Sequence, residues 1–131
     1  MPVIVDLAGQ PDSVRAQAAQ ILVDAFREMA PGAWPTLAEA KDEVNDALTD
    51  DKICRVALVE GRAVGWIGAL PLYDDRVWEL HPLAVDPAQQ GQGIGRALVD
   101  DLEACVAARG GATIFLGTDD EAGWTSLAGV D

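Results

Sequence analysis

The order of apolar patterns predicts an α/β protein built on a mixed sheet. Two amphipathic helical stretches precede two strand-like runs joined by a tight turn; a third strand, a glycine-rich loop, a helix and a last strand follow. The tight turn requires an antiparallel hairpin, whereas a helix between two strands requires a parallel crossover, so one sheet carries both pairings. With 131 residues, 50% of them hydrophobic and 24% charged, the chain suits a single domain whose core needs neither disulfides nor metal.

Residues 2 to 7 read as the first strand. Pro11-Asp12-Ser13 supplies an N-cap for a helix with apolar positions Val14, Ala18, Ile21, Leu22, Ala25, Phe26 and Met29. Residues 30 to 35, Ala-Pro-Gly-Ala-Trp-Pro, break that helix. Thr36 and Glu39 then form a capping box for a second one carrying Leu37, Ala40, Val44, Ala47 and Leu48. Ile53 to Val59 and Ala63 to Leu72 are the hairpin strands, with Glu60-Gly61-Arg62 as their turn and Asp74-Asp75 as the next. A long strand from Arg76 to Val85 leads into the glycine loop. The helix after it places Ile94, Ala97, Leu98, Leu102, Cys105 and Val106 on one face, Gly110-Gly111 stops it, and Ala112 to Leu116 is the fifth strand.

Charge narrows the function. Twenty-two acidic residues against nine basic ones give a net charge of -13, which excludes the basic patch that a nucleic-acid partner requires and favours cationic small molecules. No run of about 18 apolar residues exists to span a bilayer, so no membrane association is expected. The opening Met-Pro-Val-Ile-Val-Asp has no basic segment before an apolar run, so a cytoplasmic protein without a signal peptide is expected. Cys54 and Cys105 lie in apolar contexts and read as reduced core thiols, and one histidine among scattered carboxylates offers no metal-ligand spacing.

The loop Gln90-Gly91-Gln92-Gly93-Ile94-Gly95-Arg96 is the most informative segment. Glycines there let backbone approach an anion, and the helix that follows offers unpaired N–H groups and the positive end of its dipole. A dinucleotide fingerprint fails in both registers, because Arg96 or Leu98 occupies the third glycine position. A nucleoside-triphosphate loop fails because Arg96-Ala97 stands where Lys and a hydroxyl residue are needed.

Gln90-x-x-Gly93-x-Gly95 resembles the acetyl-CoA loop of the GNAT N-acetyltransferase superfamily, and the order of elements around it matches. Trp78-Glu79-Leu80-His81-Pro82-Leu83, the segment from Leu116 to Glu121 and Ala33-Trp34-Pro35 are similar to the aminoglycoside 6′-N-acetyltransferase branch. The resemblance implies an acyl-CoA N-acyltransferase fold over residues 1–131. It also implies acetyl-CoA as co-substrate, a polycationic amine as acceptor, a role in antibiotic resistance, and a homodimer. It places Gln90 to Arg96 on the pyrophosphate, and Leu83 as the backbone donor to the thioester carbonyl, with Ala84 and Val85 along the pantetheine arm. Pro82, lacking an N–H, helps interrupt the strand ladder there. Glu79 matches the family's acidic strand residue, which holds the substrate ammonium and accepts its proton directly or through water.

Glu79 and His81 are two apart and share a face of the strand, which makes an acid/base pair geometrically possible; His81 is otherwise a satisfied group on a half-buried strand. Asp119 and Asp120 follow the last strand and match the acidic turn of the antibiotic pocket. Trp34 either stacks on a sugar ring or covers the core. The pairs Asp50-Asp51, Asp74-Asp75 and Asp100-Asp101 receive no role. Members of the superfamily continue with a further helix and two strands, so a C-terminally truncated domain with an exposed fifth strand is expected. Acceptors other than an aminoglycoside, namely protein or peptide amines, and a non-catalytic CoA-binding or interaction module are the alternatives.

Overall fold

A computed structural model describes residues 2–27, 36–72 and 76–116. Five strands form one sheet in chain order: β1 (Val3–Asp6), β2 (Ile53–Val59), β3 (Arg62–Pro71), β4 (Val77–Val85) and β5 (Thr113–Leu116). The first three pairings are antiparallel, and β4 with β5 is parallel, as a sheet mixing hairpin and crossover requires. Helices α1 (Asp12–Phe26) and α2 (Leu37–Asp46) pack on one face and α3 (Ile94–Ala108) on the other.

Each face has its own core. Leu22, Phe26, Val44, Val56 and Trp66 fill the side of α1 and α2, and the Trp66 indole N–H donates to the Ala18 carbonyl at 2.9 Å, pinning α1 to the sheet. Ile67, Trp78, Leu80, Leu83, Leu98 and Leu102 fill the side of α3. Arg55 of β2 fixes that helix from the rim. Its Nε donates to Asp101 Oδ2 at 2.7 Å and its other nitrogens reach Asp6 Oδ1 at 2.8 Å and Asp101 Oδ1 at 3.3 Å. The hydrogen bond to Asp101 raises the guanidinium pKa further above its ordinary value, so the clamp stays charged at any working pH. Asp101, given no role on the sequence, is therefore a structural anchor.

Several boundaries differ from expectation for local reasons. The N-cap of α1 is Pro11, which offers no side-chain oxygen; Asp12 enters the first turn, where its carboxylate meets Arg15 and the positive helix end. The hairpin turn is two residues long, Glu60 (φ 52°) and Gly61 (φ 80°), and Arg62 already belongs to β3. Two left-handed residues make the turn whose twist matches a hairpin. Thr36 caps α2, its hydroxyl accepting from the Glu39 N–H at 3.1 Å and donating to the Glu39 carboxylate at 2.9 Å. Cys54 is buried, which pushes its thiol up to about 12, whereas Cys105 is only half-buried and lies 3.7 Å from Asp101 Oδ2. Met29 and Asp74-Asp75 lie outside the described residues.

Candidate functional site

Alternation along β4 puts Trp78 and Leu80 into the α3 core, so Glu79 and His81 face α1 and α2. Leu83 is back in the α3 core although it stands three positions after Leu80, an odd offset, and Ala84 enters the α1 core. The parity therefore changes within His81-Pro82. Opposite this stretch, β3 advances from Ile67 to Ala69 while β4 advances from Leu80 to Leu83, one extra residue and hence a bulge. Gly68 makes room for it: a Cβ there would stand 2.9 Å from the His81 carbonyl oxygen.

The bulge decides where backbone groups point. The Asp86 N–H donates to the Val64 carbonyl at 2.9 Å, so by antiparallel alternation Ala84 exchanges hydrogen bonds with Trp66, and Leu83 and Val85 present theirs to the other edge. On that edge the register with β5 ends at the pair Leu80 and Leu116, and no other described residue pairs beyond it. Of the three residues assigned to the thioester and its pantetheine arm, Leu83 and Val85 thus face the edge that meets no described strand. Ala84 is turned away, its backbone toward Trp66 and its side chain buried.

The glycine loop lies at the end of this edge. Gly91 (φ 84°) and Gly93 (φ 83°) are left-handed, a conformation that L side chains rarely adopt, and Gly93 is the N-cap of α3 with no side chain to satisfy the first N–H groups. A helical bond at this end runs from the Ala97 N–H to the Gly93 carbonyl at 3.0 Å, so the N–H groups of Ile94 and Gly95 precede the helical ladder. Gln92 and Gly93 are exposed, Ile94 is buried under the loop as its apolar anchor, and the Gln90 amide donates to the Val85 carbonyl at 3.4 Å, tying loop to strand. Beside Gln90 runs a groove of about 470 Å³ between the end of α1 and the turn at Asp86, lined by Asp24, Arg27, Asp86, Pro87 and Ala88.

On the α1 and α2 face, Glu79 and His81 are half-buried. α2 brings a carboxylate to His81 that its spacing along β4 did not suggest: Nε2 stands 3.7 Å from Oε1 of Glu43. Glu43 escaped the sequence reading because its contact joins distant segments, but it lies next to Val44 and three residues after Ala40, on the inward margin of the apolar stripe. Gly68 also went unread; a glycine inside a strand pattern is the signal for a close backbone approach. Trp34, Asp119 and Asp120 lie outside the described residues. Among the described residues no group of three or more His, Cys, Asp or Glu side chains can hold a metal ion, and no helix is long and apolar enough to cross a membrane.

This geometry coincides with a family assignment. Residues 17–123 match the model of the acetyltransferase (GNAT) family. The chain belongs to this GNAT family. A crystal structure of an aminoglycoside 6′-N-acetyltransferase complexed with coenzyme A is similar at 33% identity and TM-score 0.77, over 88% of this chain and 61% of that one. Aminoglycoside 6′-acetyltransferase type Ii is 34% identical, with TM-score 0.75, over 90% and 72%. A GNAT acetyltransferase from Brucella melitensis in complex with acetyl-CoA is 27% identical, with TM-score 0.67, over 89% and 76%. The present GNAT chain thus spans 61% of the length of the first of these. No match was found among curated protein sequences.

Proposed function

We propose that the chain transfers the acetyl group of acetyl-CoA to an amine of an aminoglycoside or a similar cationic acceptor. The observation that carries this reading is the junction of two backbone features. One is the uncapped first turn of α3 behind Gly91 and Gly93; the other is the β4 edge at Leu83 and Val85 that meets no described strand. A chain of donors along a groove, ending at a helix N-terminus, suits a thioester arm attached to a pyrophosphate.

In this reading the N–H groups of Ile94, Gly95 and Arg96 hold the pyrophosphate, and Gln90 to Gly93 bring the backbone close to it. The Val85 N–H pairs with the pantetheine arm, and the Leu83 N–H donates to the thioester carbonyl oxygen as it becomes negative. Glu79 holds the substrate ammonium, and His81, two residues along the same face, accepts its proton. The nitrogen lone pair then forms the C–N bond, the C–S bond breaks, and the departing thiolate takes up the second proton, which the acylated nitrogen sheds. A net charge of -13 draws polycations toward the site, and the aminoglycoside acetyltransferases among the similar structures support that acceptor class.

The test is turnover of acetyl-CoA with a panel of amines that includes kanamycin-type acceptors. Glu79→Gln is expected to lower kcat/KM about 100-fold, with acetyl-CoA affinity unchanged. A folded chain that acetylates no amine of the panel overturns the reading.

A further inference from the structure

Glu43 is the one residue that joins α2 to the acid/base face of β4 by charge among the described ion pairs. Its carboxylate and the His81 imidazole are each about a quarter exposed, 26% and 28%, so water screens their interaction only in part. At 3.7 Å the contact is coulombic, and it exists in full only when the imidazole carries a proton. β3 brings Gly68 and Ala69 to this stretch. Glu79 on β4 is the second carboxylate.

We propose that Glu43 is a positioning residue for the acetyl transfer, acting through His81; this rests on the reaction proposed above. The carboxylate holds Nε2 toward α2 and raises the basicity of the imidazole, so His81 takes one proton from the substrate ammonium to become imidazolium while the amine gains its free lone pair. The proton later leaves to solvent, restoring neutral imidazole. Glu79, on the same strand face, is left to hold the ammonium. Two carboxylates thus divide the work, one gripping the substrate and one tuning the base.

His81 is the single histidine of the chain, so its titration by NMR is read without assignment ambiguity and without any turnover. Glu43→Gln is expected to lower the His81 pKa by about one unit, and Glu43→Asp, which keeps the charge, by less. High salt in the unsubstituted chain moves it the same way, which gives the readout without any substitution. In turnover, Glu43→Gln shifts the acidic limb of kcat/KM to lower pH and lowers kcat several-fold while KM for acetyl-CoA stays unchanged. An unshifted His81 titration overturns the proposal, and so does a shifted titration with an unmoved pH profile. Absence of turnover in the unsubstituted chain, with the titration still responding to Glu43, is instead a failure of the acetyl-transfer reading, and the two failures are distinguishable.

Discussion

The two ends of α3 are built in opposite ways. At its C-terminus, Gly110 (φ 85°) reverses the chain, its N–H donates to the Ala107 carbonyl at 3.0 Å, and the Gly111 N–H donates to the Val106 carbonyl at 2.9 Å. That paired arrangement satisfies the last carbonyls internally and closes the helix. The N-terminus also uses left-handed glycine, yet Gly93 supplies no capping oxygen and the first N–H groups are left facing the loop. The same helix shows that left-handed glycine can serve either closure or access. α2 sharpens the contrast, because its N-terminus is capped by Thr36 where no ligand is invoked.

The largest expected effect of breaking this asymmetry comes from filling the open end. Gly93→Asp supplies a capping carboxylate where the pyrophosphate is proposed to lie, and Asp tolerates the left-handed conformation better than most residues. Calorimetry is expected to show acetyl-CoA affinity reduced about 100-fold, which is about 2.7 kcal/mol, with thermal stability nearly unchanged. At the closed end, Gly110→Ala forces a side chain into the same region and is expected to cost about 1–2 kcal/mol in urea unfolding. Acetyl-CoA affinity should be unaffected there. An affinity loss from Gly110→Ala equal to that from Gly93→Asp would mean that both ends act through stability alone.

Local chemistry made most of the fold legible. The capping box at Thr36 and Glu39, the stop at Gly110-Gly111 and the tight turn at Gly61 each depend on neighbours within a few residues, and each forms where the sequence places it, the turn one residue shorter. Features set across the sheet were not legible. The parity change at His81-Pro82 depends on how β3 counts past Gly68, and it reverses the backbone direction that simple alternation assigns to Leu83 and Ala84. Spacing along β4 brought Glu79 and His81 onto one face, but nothing in the strand could reveal the carboxylate that α2 sets beside the imidazole. Asp101 was hidden for the same reason: its partner, Arg55, lies 46 residues earlier in the chain.

The central claim is that the open end of α3 recognises the pyrophosphate of CoA while the β4 edge receives the thioester arm. Titration calorimetry with acetyl-CoA and with S-acetylpantetheine, which has the arm but no pyrophosphate, tests it most directly. The account predicts acetyl-CoA to bind at least about 100-fold more tightly to the unsubstituted chain, the difference a well-placed anion site supplies. Equal affinities for the two compounds, or no binding of acetyl-CoA to the folded chain, would contradict it.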